Sequence, residues 1–197
     1  QIGDIIHRLD IGDQVIINGK LNVTGNGAEV KNLSVTSSGN AVYVNGKDIL
    51  IENCNIKGSN GLRSCYAKGL VTIKDSTITG DVYGIHFDGS KGGEVVIDNC
   101  VITGWTSFAS SISKVTIADS KFEEGNYNQL RFYQNAELTN TEFNPEMTID
   151  FGKGGVESSF NGCTVSDGSS LLDVIYLPDI AQMGVKVEVD NQQIIVE

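Results

Sequence analysis

Seven side chains able to bind or react recur at two adjacent outward positions of a repeating pattern: Tyr43, Arg63, His86, Asp88, Arg131, Tyr133 and Asp150. Four of them sit inside short apolar-polar-apolar alternations, Val42-Tyr43-Val44, Ile85-His86-Phe87, Leu130-Arg131-Phe132 and Ile149-Asp150-Phe151. A period of two sends neighbouring residues to opposite faces of a strand. Aligned on these strands, Tyr43, Arg63, His86, Arg131 and Asp150 form one outward line, and Asp88 and Tyr133 fall in the next. Such a line can hold a sugar chain, because aromatic rings stack on pyranose faces while Arg, His and Asp hydrogen-bond the hydroxyls.

Catalysis asks for more than this. An inverting glycoside hydrolase needs two carboxyls ~6.5–9.5 Å apart, and Asp88 and Asp150 belong to strands several repeats apart. A nucleophilic set of Ser64, His86 and Asp88 fails because Ser64 alternates with the outward Arg63 and so faces inward. The glycine-rich stretch Gly89-Ser90-Lys91-Gly92-Gly93 lacks the Gly-Lys-Ser/Thr ending of a phosphate loop and precedes a strand; it reads as a corner. No catalytic residue, metal site or cofactor is expected.

The elements that must position these residues come from a repeat. The pattern apolar, any, Asn or Asp, small, any, apolar returns as Val30-Lys31-Asn32-Leu33-Ser34-Val35, Ile51-Glu52-Asn53-Cys54-Asn55-Ile56, Ile73-Lys74-Asp75-Ser76-Thr77-Ile78 and Ile97-Asp98-Asn99-Cys100-Val101-Ile102. Further copies begin at Ile117, Leu138 and Phe160, so the steps are 21, 22, 24, 20, 21 and 22 residues. Each repeat holds three short strands: one entering the Asn or Asp, one leaving it, and the alternation described above. Three strands in so few residues leave no room for crossover helices, so each strand must pair with its equivalent in the next coil. The Asn/Asp column suits a sharp corner, since these residues tolerate the left-handed conformation and their side chains can hydrogen-bond between coils.

This pattern resembles the right-handed parallel β-helix of the pectin-lyase-like superfamily, in which an Asn-bearing turn joins the second and third sheets. The resemblance implies an all-β, right-handed single-stranded parallel β-helix, about seven coils of three short strands. It also implies that a substrate lies across the outer face of the third strands. Pectate-type lyases of this superfamily pair calcium-binding acids with a base, a role that would fall to His86 or Arg131, yet no carboxylate cluster for calcium is visible. The hydrolase motifs Asn-Thr-Asp, Asp-Asp, Gly-His-Gly and Arg-Ile-Lys do not occur.

The 197 residues read as one β-helix domain over 1–197: an N-terminal cap over 1–14, coils over 15–176 and a C-terminal cap over 177–197. Ile2, Ile5, Ile6 and Leu9 have helical spacing and predict a short capping helix bearing His7 on its polar side. At the other end, Val185–Val189 and Ile194–Val196 predict a closing hairpin around Asp190-Asn191.

Cys54, Cys100 and Cys163 occupy one inward column of the repeat. Coils spaced ~4.8 Å apart put the nearest two at ~9.6 Å, beyond the ~7 Å that a disulfide spans. Cys65 belongs to a different strand, and four free, mostly buried thiols acting as small core residues are expected.

Lys and Arg number 14 against 25 Asp and Glu, a formal charge of −11, which argues against nucleic acid as a partner. No apolar run approaches the ~18 residues of a membrane-spanning helix, so membrane insertion is not expected. The N-terminus lacks a signal-peptide profile, and the chain is read as a mature form or a trimmed piece.

Two functions fit these residues. One is a non-catalytic module, secreted or on a bacterial or phage cell surface, that serves as adhesin, glycan-binding element or spacer. The other is a compact polysaccharide lyase or hydrolase acting on the third-strand face. A polysaccharide or glycan is the expected partner, and Arg131→Ala is expected to leave stability untouched.

Overall fold

The computed structural model describes residues 8–9, 15–65, 67–88 and 92–196. Over these residues the chain is an all-β solenoid of about seven turns with parallel strands, and it carries one short α-helix, Leu177–Met183. The strands entering each corner stack into one sheet: Glu29–Lys31, Lys47–Glu52, Lys68–Lys74, Glu94–Asp98, Lys114–Ala118, Asn135–Thr139 and Glu157–Asn161. Their register aligns Val30, Ile51, Ile73, Ile97, Ile117, Leu138 and Phe160. All seven are buried. This is the direct reason the strands form where they do, since only a parallel stack in this register hides every one of those side chains at once.

The corner column behaves as its residue types require. Asn32, Asn53, Asp75, Asn99, Asp119 and Asn140 all have φ between 47° and 56°, and Gly162 has φ 63°. Side chains bridge successive corners: Asn53 Nδ2 donates to Asn32 Oδ1 at 2.6 Å, Asn99 Nδ2 to Asp75 Oδ1 at 2.7 Å, and Asn140 Nδ2 to Asp119 Oδ1 at 3.1 Å. Asn99→Ala removes one bridge and forces a β-carbon-bearing residue without a local hydrogen bond into the left-handed region. It is expected to lower stability by about 1–2 kcal/mol. Asn99→Gly should recover most of that loss in a thermal melt, and an unchanged midpoint for the alanine variant tells against the corner assignment.

A second left-handed column, not anticipated, opens the strands of the same sheet: Gly27 (φ 67°), Asp48 (φ 54°), Gly69 (φ 64°) and Gly93 (φ 102°). Coils approach so closely here that a Cβ on Gly93 would lie 2.0 Å from the Gly69 carbonyl oxygen. Asp48 replaces glycine in this column and uses its Oδ1 to accept the Leu70 N–H at 3.0 Å.

Inside, one column changes size along the axis. Val23, Val44 and Ser64 come first, then Phe87, Phe108, Phe132 and Phe151, with successive phenyl centroids 6.0, 6.0 and 6.3 Å apart. The cysteine column lies beside the corners. The Cys54 N–H donates to Ser76 Oγ at 3.1 Å and the Cys100 N–H to Ser120 Oγ at 3.0 Å. Cys54, Cys100 and Cys163 are buried, and burial raises all three thiol pKa values, Cys100 to about 11, so these groups stay protonated core residues.

The ends differ in part from expectation. Arg8–Leu9 is a strand paired with Glu29 and Val30 rather than the last turn of a helix. The rest of the anticipated capping helix, with His7, lies outside the described residues. After the helix Leu177–Met183, which ends at Gly184 (φ 63°), Lys186–Val189 joins the sheet in parallel. The chain then reverses at Asp190-Asn191 and Gln192–Ile194 pairs back antiparallel.

Candidate functional site

The third-strand segments lie within Leu21–Val23, Asn40–Val44, Asn55–Ser64, Thr77–Phe87, Val101–Phe108, Gln129–Phe132 and Thr148–Phe151. Their buried residues, such as Val42, Leu62, Ile85, Leu130 and Ile149, alternate with the candidate side chains and turn them outward. Tyr43 is in register with Arg63, Arg63 with His86, His86 with Ser107, Ser107 with Arg131, and Arg131 with Asp150. The anticipated line is therefore continuous over six coils, with Ser107 filling the position that the sequence left open. At the spacing of paired strands it runs ~24 Å.

Two further columns flank it. On one side Asn40, Asn60, Tyr83 and Trp105 are in register, and Gln129 and Thr148 pair in the coils beyond. On the other side the Asp88 N–H donates to the Ser64 carbonyl oxygen at 3.0 Å, which sets Asp88 beside Cys65. Cys65 is thus not a core residue. It is partly exposed and lies beside the side chains of Tyr43, Arg63 and Asp88.

The charged groups of the face are paired. Arg131 donates from Nε to Asp150 Oδ1 at 2.8 Å and from Nη2 to Asp150 Oδ2 at 2.6 Å. The hydrogen-bonded Asp150 holds the Arg131 guanidinium charged, and Asp150 itself is only 5% exposed. That burial overturns the expectation that Arg131→Ala leaves stability untouched, because removing Arg131 would strand a carboxylate largely removed from water. Arg63 Nη2 donates to Asp88 Oδ2 at 2.6 Å. Burial opposes ionisation of Asp88, but hydrogen bonds from Cys65 and Arg63 outweigh it and keep the carboxyl below the usual range.

Aromatic rings take up one another. Tyr83 stacks on His86 with centroids 4.0 Å apart and 11° between planes, and on Trp105 at 4.9 Å and 22°. The Arg131 guanidinium lies 6.0 Å from the Trp105 centroid, and Lys20 lies 5.1 Å from that of Tyr43. The faces of Tyr83, His86 and Trp105 are thus partly taken up by one another, and the pyranose stacking anticipated from the sequence is limited by these contacts.

Burial lowers the pKa of His86, helped by Arg63 and opposed by Asp88. An unfolded His takes up a proton near 6.5, while the folded one resists it. The unfolded state thus binds more protons below that value, and stability is expected to fall as pH drops from about 7 to about 5. Melts of His86→Gln over the same range should show a shallower slope, and an identical slope would remove His86 from this role.

Asp88 and Asp150 stand three coils apart, ~14 Å at strand spacing, each on its own arginine. Ser64 is fully buried and points away from this face. Among the described residues no group of three or more His, Cys, Asp or Glu side chains is placed to hold a metal ion, and no helix is long and apolar enough to cross a membrane. Set against known proteins, the chain matches no family model, no curated protein and no solved structure.

Proposed function

We propose that this chain is a non-catalytic, right-handed parallel β-helix module of the pectin-lyase-like kind, carried on a secreted or cell-surface protein, that holds a glycan along its third-strand face. The observation that carries this reading is the unbroken six-coil line from Tyr43 to Asp150, whose arginines are immobilised by carboxylates. Side chains already held in place lose little rotamer freedom when a ligand arrives, so their remaining donors and acceptors act as a preformed lattice for hydroxyl groups. The rod-like stack of coils suits adhesion or spacing for the same reason.

One observation favours the compact lyase or hydrolase. His86 sits midway along the line, and its lowered pKa leaves it neutral and able to accept a proton near pH ~7. A panel of neutral and acidic polysaccharides, with and without calcium, separates the two readings when scored for retention and for new chain ends. Retention without new ends, weakened by Tyr43→Ala or His86→Ala, is the expected result. Unsaturated or reducing ends that disappear in His86→Ala would make the chain an enzyme, and a protein retained by no glycan would leave only the spacer role.

A further inference from the structure

We infer that the glycan held on this face is uncharged, a neutral polysaccharide rather than a polyuronate or sulfated chain. The inference rests on the glycan-binding reading above and adds the chemical class of the ligand.

On a molecule of formal charge −11, the three outward columns carry Arg63 and Arg131 against Asp88 and Asp150, a balance of zero with His86 neutral, to which Lys20 at the end of the line adds a single positive charge. Each arginine is matched to its own carboxylate within 2.8 Å. The rest of the face is hydroxyl, amide and aromatic: Asn40, Asn60, Tyr83, Ser107, Gln129 and Thr148. Asn60 Nδ2 donates to Asn40 Oδ1 at 2.7 Å, which fixes that amide pair. Lys20 stands exposed at the end of the line, over the ring of Tyr43.

Recognition of a carboxylate or sulfate calls for a cation free to form a two-pronged hydrogen bond. Drawing Arg131 toward such a ligand would deprive the buried Asp150 of its partner, and drawing Arg63 would do the same to Asp88. The surrounding negative potential would also repel a polyanion before contact. A sugar hydroxyl is both donor and acceptor, and paired Arg–Asp groups beside fixed amides present both at coil-by-coil spacing.

Affinity electrophoresis through gels containing a galactomannan, a β-glucan or a neutral galactan, compared with gels containing polygalacturonate or alginate, tests this directly. The protein should be held by at least one neutral polymer about tenfold more tightly than by either acidic one. That retention should persist from ~0.05 M to ~0.5 M salt, since screening acts on charge and not on hydroxyl contacts. Asp88→Asn removes the negative charge opposite Arg63, leaves the buried pair intact, and should gain about tenfold in retention by polygalacturonate. Its melt reports whether the fold is kept.

Retention by an acidic polymer equal to or above that by the neutral ones, or retention lost in high salt, overturns the inference and leaves glycan binding standing. Asp88→Asn that stays indifferent to polygalacturonate overturns it as well. A protein held by none of the polymers removes the glycan-binding reading itself, and with it this one.

Discussion

Ile97→Asp will unfold without a cooperative transition. Ile97 is completely buried, and its parallel partners in the coils on either side are Ile73 and Ile117. The substitution removes an isoleucine side chain worth roughly 2–3 kcal/mol of burial and puts a carboxyl among methyl groups, where it is charged at a cost of several kcal/mol or protonated without an adequate partner. A domain of this size is stable by about 5–15 kcal/mol. Coils touch only their neighbours, so one failed winding separates the stack into two parts that expose raw strand edges to each other. Circular dichroism against temperature should show a broad, low-amplitude loss of strand signal, and the soluble yield should drop. A sharp melt at the parent midpoint would mean that Ile97 does not face the interior, and the alignment of the whole entering sheet would go with it.

Arg131→Ala comes second in size, with an expected loss of about 3 kcal/mol. The loss comes from what is left behind. Asp150 keeps its place between Ile149 and Phe151, both buried, but no longer has the two short hydrogen bonds that offset its removal from water. The Arg131 side chain is 33% exposed, so water reaches the gap and softens the penalty relative to a fully enclosed pair. Arg131→Lys restores the charge but not the parallel two-pronged geometry and should recover only part. Truncating both members, in Arg131→Ala with Asp150→Ala, should be milder than Arg131→Ala alone. Guanidinium titrations giving equal midpoints for Arg131→Ala and the parent would show that the pair is merely a surface contact.

The fold was legible where backbone geometry restricts residue choice. The corner at Asn32, Asn53, Asp75 and Asn99 demands a left-handed backbone that few residues accept, so the sequence repeats the same types and the eye can follow them. The outward line was legible because Val42, Leu62, Ile85, Leu130 and Ile149 fix its phase.

Tyr83 was missed for the opposite reason. Plain alternation assigns Tyr83 and Ile85 to the same side, yet Tyr83 is turned out and Ile85 in. The register with the preceding coil shifts between Gly80 and Tyr83, and the strand rounds a corner at Gly84, where a Cβ would meet the Thr103 carbonyl oxygen at 2.7 Å. The column of Gly27, Asp48, Gly69 and Gly93 escaped notice because glycine carries no polarity to mark a phase. The burial of Asp150 was hidden too, since it depends on neighbours from other coils that spacing along one strand does not reveal.

The interior column that begins with Val23, Val44 and Ser64 and continues through four phenylalanines acts as a built-in ruler. A tandem repeat of identical units can thread one unit out of step at little energetic penalty, and that degeneracy invites kinetic traps and exchange between molecules. Here a slip by one winding would force the ring of Phe87 into the space shaped for the Ser64 hydroxymethyl group, and overfilling a packed interior costs ~1–3 kcal/mol or more at each such place. Unequal volumes thus give every winding its own address, and the graded bore resists misthreading that its repetitive exterior alone would permit.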